Sequence, residues 1–237
     1  MLITGGASGI GLGLARRFAR AGSKVIVCGR DDAKLRDARE HIPGLATYPC
    51  DVAKPADRTE LVRLVTREHP QLNVVINNAG IQRRVQLEQD EPWPDCEAEI
   101  AINFHAPVHM CRLLVPHLRT RERPAIVNVT SGLAFIPAAF VPIYAATKAA
   151  MHSFTVSLRQ QLAASPIQVV ELVPPAVNTD LGGAGLHASG VPLDEYCDAA
   201  AASLERGDLE IGYGFSEKAR LASRAEIDDI LKRMSQR

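Results

Sequence analysis

Tyr144 and Lys148 stand four residues apart in the run IYAATKAAMHSF, and Ser131 closes the apolar run IVNVTS thirteen residues before Tyr144. Four residues is about one helical turn, so the phenol and the ammonium project from one helix face. An ammonium beside a phenol favours the phenolate and draws the tyrosine pKa down toward neutrality. A tyrosine tuned in that way gives or takes a proton at ordinary pH. The same spacing also occurs on solvated helix faces. The elements around the pair therefore decide whether it is a site.

Those elements alternate. Short runs rich in Val and Ile lie at 24–28 (KVIVC), 46–50, 73–77 (NVVIN), 125–130 (AIVNVT) and 168–173 (QVVELV). Continuous apolar runs of that length suit parallel strands covered on both faces. Helical patterns fill the gaps at 9–21, 32–41, 55–69, 94–119 and 143–164, with Asp57 and Asp95 suited to first turns and Gly22 to a helix end. Repeated βα units imply right-handed crossovers. The fold class predicted is α/β: a Rossmann-type, doubly wound, mostly seven-stranded parallel sheet with helices on both faces. A loop at 174–192 contains LGGAG, and a helix at 193–205, a short strand near 210–213 and a helix from about 224 follow. The opening strand, MLIT, is short against the usual five or six residues, which suggests native residues upstream of Met1.

Thr4-Gly5-Gly6-Ala7-Ser8-Gly9-Ile10-Gly11 follows that strand and opens the first helix. Glycines let the backbone approach a pyrophosphate, and a helix N-terminus favours negative charge. Gly5, Ser8, Gly9, Ile10 and Gly11 are the expected contacts of a dinucleotide. At the end of the second strand an NAD enzyme would carry an acid for the ribose 2'-hydroxyl. Here Cys28-Gly29-Arg30 stands instead, and an arginine suits a 2'-phosphate. NADP is favoured over NAD, although Asp31 and Asp32 follow directly.

The chain has 237 residues, 46% hydrophobic and 23% charged, with 27 basic against 27 acidic side chains. That length fits one α/β domain over 1–237, with a composition able to bury a substantial core. Zero formal net charge gives no reason to expect a nucleic-acid or membrane partner. No apolar run approaches the roughly 20 residues that cross a bilayer. MLITGG lacks the features of a signal peptide, so a cytoplasmic location is expected. Cys28, Cys50, Cys96, Cys111 and Cys197 are widely spaced without a CxxC, and are read as reduced, mostly buried thiols. The scattered histidines give no metal-ligand spacing, and no metal is expected.

Taken in order, these motifs resemble the short-chain dehydrogenase/reductase family in its compact single-domain branch, over nearly the whole chain. TGGASGIG is similar to the family's TGxxxGxG. Cys50-Asp51-Val52 is similar to its strand-three DV element, and Asn77-Asn78-Ala79-Gly80 to its NNAG. Asn103 falls at the family's relay asparagine, and Ser131, Tyr144 and Lys148 match its catalytic residues in order and spacing. The resemblance implies hydride transfer between a nicotinamide and a carbonyl carbon. Tyr144 would exchange the proton with the carbonyl oxygen, and Lys148 would lower the Tyr144 pKa and bind the nicotinamide ribose. Ser131 would orient the substrate oxygen, and Asn103 would connect Lys148 to solvent through a water. Asp51, Val52, Asn78, Ala79 and Gly80 become cofactor contacts, joined by Tyr144 and Lys148. The family's PGxVxT appears here as Pro174-Pro175-Ala176-Val177-Asn178-Thr179. Pro174, Val177 and Thr179 are implied contacts. The second proline removes a donor and fixes φ where glycine is free, which leaves the backbone path there open. A homodimer or homotetramer is also implied. IGYGFSEKAR and TSGLAFIP are similar to a bacterial subgroup labelled D-alanyl-teichoic-acid-associated oxidoreductases.

The segment GLAFIPAAFVPI is apolar, and Phe135, Phe140 and Pro142 in it are placed to wall a substrate site. Residues 174–206 are read as the substrate-binding region. Gln82, Arg83 and Arg84 are read as a solvated loop, with facing the cleft as the alternative, and Trp93, between Pro92 and Pro94, as packing at a helix start, with lining the substrate mouth as the alternative. The function expected is an NADP(H)-dependent oxidoreductase of an apolar or aromatic carbonyl/secondary alcohol pair. Alternatives are a nucleotide-sensing protein of weak catalysis, an NAD-preferring dehydrogenase, or a sugar-nucleotide epimerase, which the lack of a sizeable C-terminal substrate domain disfavours.

Overall fold

The computed structural model describes residues 1–89 and 93–234. Its strands are β1 (Leu2–Thr4), β2 (Ile26–Gly29), β3 (Ala46–Pro49), β4 (Val74–Asn77), β5 (Ala125–Val129), β6 (Gln168–Val173) and β7 (Glu210–Gly212). They form one sheet in the order β3-β2-β1-β4-β5-β6-β7, every neighbouring pair parallel. The helices are α1 (Gly9–Arg20), α2 (Asp32–His41), α3 (Pro55–Glu68), α4 (Trp93–Ile100), α5 (Ala106–Leu118), α6 (Pro142–Gln161), α7 (Leu193–Arg206), α8 (Phe215–Leu221) and α9 (Arg224–Met234).

The two-residue period of a strand sends successive side chains to opposite faces. One core therefore takes Leu2, Ile26, Val75, Ile126 and Val169 against α3, α5 and the end of α6, including Val65, Leu114 and Leu158. The other takes Ile3, Val27, Ile76, Val127 and Val170 against α1, α2 and α7, including Leu14, Leu35 and Tyr196. Burying each such aliphatic side chain contributes roughly 1.5–3 kcal/mol. β1 is only three residues long, but all three are buried between β2 and β4.

Local signals set the helix ends. Gly22, at φ +85°, follows the end of α1. Asp31 caps α2, its Oδ1 accepting from the Ala33 and Lys34 N–H groups at 3.0 and 3.1 Å, a contribution of about 1 kcal/mol.

Two helical expectations are corrected. The single helix expected over 94–119 is two helices joined by a π-helical turn at Ala101–His105. α8 lies in a stretch where sequence periodicity gives no helix. Its Ser216 is fully buried, and its Oγ donates to the Val173 carbonyl at the end of β6. Trp93 opens α4 but is 58% exposed instead of packed; Pro92 lies outside the described residues.

Candidate active site

β1 and β4 are neighbours from which the chain departs in opposite directions, so a crevice opens at their carboxyl ends. Two sequence-distant segments meet there. Thr4 Oγ1 accepts from the Asn78 and Ala79 N–H groups, each at 3.0 Å. Asn78 Nδ2 donates back to the Thr4 carbonyl at 2.9 Å and the Gly5 carbonyl at 3.3 Å. The glycine turn and the NNAG run are thereby one unit. Glycine is required at position 11, because a Cβ there would lie 2.5 Å from Asn78 Nδ2 and 2.6 Å from the Gly5 carbonyl oxygen. Sequence reasoning missed Thr4 and Asn77 as site-builders. Asn77 Nδ2 donates to Asn128 Oδ1 at 2.8 Å, which ties β4 to β5 beneath the site. A hydroxyl ending β1 opposite an Asn-Asn pair ending β4 is the signal that could have found them.

From this crevice a cleft of about 1080 Å³ runs in two directions. Outward it passes Gly5, Ser8, Gly9 and Ile10 to Arg30, Asp51 and Val52; inward it passes Asn78, Ala79 and Gly80 to Ser131, Tyr144 and Lys148. Gly11 sits behind the wall. Ser8 occupies the N-cap of α1 without a side-chain cap bond, so the first N–H groups of α1 are left for an acceptor. Arg30 is exposed, whereas the Asp31 carboxylate is engaged as the cap of α2. Asp51 Oδ1 accepts from the Ala53 N–H at 3.0 Å, and the Val52 carbonyl accepts from buried Arg58. A Cβ on Gly9 would project toward Thr179 Cγ2, 3.5 Å away, where glycine leaves the passage clear. The residues present thus fit a nicotinamide dinucleotide: backbone N–H groups and glycines at mid-cleft, Asp51 and Arg30 at one end, Ser131, Tyr144 and Lys148 at the other.

At the inner end, Ser131 closes β5 and accepts from the Leu133 N–H at 3.2 Å. Ser131 and Tyr144 are 7% and 5% exposed, and the Ser131 side chain acts on the Tyr144 phenol. Lys148 Nζ donates to the Val129 carbonyl at 2.8 Å and lies 5.5 Å from the Tyr144 ring centroid. The ammonium therefore sits over the ring and not against the phenol oxygen. Burial pushes the Tyr144 phenol up to about 12, opposed by Ser131, while Glu99 adds to the rise. Burial pushes Lys148 down to about 8, opposed by Glu99. Lys148 is not among the causes of the Tyr144 shift, which burial dominates. Asn103, in the π-helical turn, spends its side chain on Ile81. Oδ1 accepts from the Ile81 N–H at 2.9 Å, and Nδ2 donates to the Ile81 carbonyl at 2.8 Å. It fixes the chain just beyond Gly80.

The far wall is the segment after β6. Pro174 accepts from the Gly132 N–H at 3.0 Å, and Val177 bridges to Val191. Pro174, Pro175, Val177 and Thr179 all line the cleft. Beyond them, His187 Nε2 meets Gln82 Oε1 at 3.1 Å, so the glycine-rich loop touches the segment after NNAG across the mouth. Two alternatives are resolved here. Gln82, Arg83 and Arg84 line the cleft, and the Arg84 guanidinium lies 5.0 Å from the Phe140 ring centroid. Phe140 lines the cleft too, but Phe135 packs tilted against His152, ring centroids 4.6 Å apart, and Pro142 begins α6. In a loop without periodicity, nothing in the sequence tells which way each ring turns. All five cysteines are free and buried. Among the described residues no helix is long and apolar enough to cross a membrane.

Comparison with known proteins bears on this geometry. Residues 1–187 match the family model described as short chain dehydrogenase. The chain is 43% identical to "Uncharacterized oxidoreductase DltE" of Bacillus subtilis (strain 168), over 99% of this chain and 96% of that protein. It superposes on a short-chain dehydrogenase from Sphingobium yanoikuyae in complex with NADPH, with a TM-score of 0.82, 28% identity, and coverage of 99% of this chain and 92% of that one. A 3-ketoacyl-(acyl-carrier-protein) reductase from Brucella melitensis, complexed with NADH, gives a TM-score of 0.82 at 29% identity, covering 91% and 97%. With the sheet order, the glycine turn and the Ser131–Tyr144–Lys148 cluster already in place, the matched family accounts for them all: this chain belongs to the short-chain dehydrogenases and is an oxidoreductase that uses a nicotinamide cofactor.

Proposed function

We propose that the protein is an NADP(H)-dependent oxidoreductase of a carbonyl/secondary alcohol pair, with an apolar or aromatic substrate. The observation that carries this reading is a single cleft with Arg30 at one end and the Ser131–Tyr144 hydroxyl pair at the other. Arg30 is free to meet a 2'-phosphate because Asp31, the acid nearest to it, is held as a helix cap. Leu133, Phe140, Leu181, Leu186 and Phe215 supply apolar wall around the inner end.

Bound NADPH supplies the hydride. Ser131 Oγ holds the substrate oxygen beside the Tyr144 hydroxyl, which donates its proton as negative charge develops on that oxygen. The Tyr144 proton is held up to about pH 12 by burial, so Tyr144 is in its donating form throughout the neutral range. Lys148 anchors the cofactor ribose and restores the Tyr144 proton. Gly5, Ser8, Gly9 and Ile10 hold the pyrophosphate, with Gly11 giving their turn its shape. Asp51 and Val52 border the adenine, and Asn78, Ala79 and Gly80 the ribose. Pro174, Val177 and Thr179 border the nicotinamide. Catalysis in a homodimer or homotetramer is part of this reading.

The test is NADPH consumption over a panel of ketones, aldehydes and quinones, with Tyr144→Phe as control. Turnover lost in the variant supports the reading. Slow NADPH oxidation unchanged by Tyr144→Phe overturns it, and so does tighter binding of NAD than of NADP.

A further inference from the structure

Glu99 is completely buried in α4, one helical turn before Asn103. Its Oε1 accepts from the Arg83 N–H at 3.3 Å, and its Oε2 has no partner among the described residues. A buried carboxyl with an unpartnered oxygen is costly, and such groups collect at functional sites. α4 packs against α6, and the Glu99 charge acts on both Tyr144 and Lys148. Arg83, whose N–H Glu99 holds, lines a second cavity of about 280 Å³ together with Asp95 and Cys96, bordered by exposed Arg84 and Asp95. Glu99 reaches that cavity only through Arg83 and does not itself line it. It does not line the main cleft.

We propose that Glu99 is a positioning residue of the proton path, holding an exchangeable proton between Lys148 and the cavity beneath residues 82–85. The inference rests on the oxidoreductase reading above. After Tyr144 gives its proton to the substrate oxygen, the Lys148 ammonium returns one to the phenolate. The neutral Glu99 carboxyl then passes its proton to the Lys148 amine through a bridging water, and the Glu99 carboxylate takes one from solvent in the second cavity, past Arg83. Each step moves one proton, and alcohol oxidation runs the path in reverse.

The charged and titratable groups around Glu99 are Arg83, from the segment after β4, with Lys148 and Tyr144 from α6. Asp95, Cys96 and Glu97 lie on its own helix. Arg83 is itself engaged by Asp95 at 3.3 Å. Burial pushes Glu99 up to about 7, and the nearby cations only partly oppose it. Lys148 stands at about 8, so the two groups exchange a proton at small cost near neutrality.

Glu99→Gln keeps the shape and the acceptor for Arg83 while removing the exchangeable proton. Infrared difference spectra between about pH 5.5 and 8.5 should show a buried carboxyl band in the wild type that is missing from Glu99→Gln. The kcat–pH profile of the wild type should show an ionisation near 7 that the variant lacks. The variant's kcat should fall about tenfold, with its NADPH affinity unchanged and Glu99→Asp restoring part of the rate. A superimposable kcat–pH profile overturns the proposal, as does an equal loss at every pH accompanied by weaker NADPH binding. The infrared titration needs no substrate. A wild type that shows the band but reduces no carbonyl overturns the oxidoreductase reading, and with it the relay. A missing band with full turnover overturns the Glu99 assignment alone.

Discussion

Thr4→Val is the sharpest test of how the cleft is built. The two side chains have nearly the same volume, so the buried pocket around residue 4 stays filled. What disappears is the acceptor for the Asn78 and Ala79 N–H groups, each 3.0 Å from Thr4 Oγ1. A buried N–H left without a partner costs ~1–3 kcal/mol. Asn78 and Ala79 are only partly buried, so the low end of that range applies, ~1–1.5 kcal/mol for each and ~2–3 kcal/mol for the pair. In a domain of this length one kcal/mol corresponds to roughly 2–4 °C in Tm. Thermal unfolding of Thr4→Val should therefore fall by about 4–12 °C, while Thr4→Ser stays near wild type. The glycine turn loses its registration against NNAG at the same time. NADPH binding measured by calorimetry should weaken on the order of tenfold, the equivalent of ~1.4 kcal/mol. A Val variant with wild-type Tm and wild-type NADPH affinity would refute the claim that this hydroxyl joins the two halves of the cleft.

Three further outcomes follow from the same geometry. Gly11→Ala should destabilise by ~1–3 kcal/mol through overpacking, because Asn78 Nδ2 and the Gly5 carbonyl cannot both retreat; a denaturation midpoint equal to wild type would count against it. Arg30→Ala should weaken NADP binding about tenfold, the scale of an exposed charge-assisted contact to phosphate, and leave NAD binding unchanged; equal effects on both cofactors would show that Arg30 reads no 2'-phosphate. Glu99, pushed up to about 7 from 4.5 by burial, holds its proton longer in the folded state than in the unfolded chain. Its contribution to stability is complete below about pH 4.5 and is lost as the pH rises through about 7. Glu99→Gln should then be more stable than wild type above pH 7, on the order of 3 kcal/mol, the gap closing in acid; a constant gap from acid to neutral pH would contradict the buried-carboxylate account.

Much of this was legible in the chain because the relevant signals are local. KVIVC and QVVELV read as strands since both of their faces are covered, and the glycine turn and the Tyr144–Lys148 spacing are matters of a few residues. What was not legible depends on distant partners. The π-helical turn exists where Asn103 binds the backbone of Ile81, 22 residues earlier. α8 is held by Ser216 on Val173, 43 residues away, so its own periodicity says little. Spacing reports a neighbouring charge but not burial, and the burial that raises the Tyr144 pKa is set by the whole fold. The orientation of Phe135 and Phe140 was decided by His152 and Arg84, from a different helix and a different loop.

The family match ends at residue 187, yet Ser216 packs against Gly132, the residue next to Ser131; a Cβ on that glycine would stand 3.0 Å from the Ser216 side chain. Phe215 beside it lines the cleft. The stretch of chain outside the shared pattern is thus mechanically fastened to the turn on which the chemistry depends. Evolution can change Phe215 and so reshape what the cleft admits, but it cannot let α8 drift without disturbing Gly132 and, next to it, Ser131. A change of preference made through α8 must come from swaps at its cleft-facing side, one position away from a residue that has to stay still.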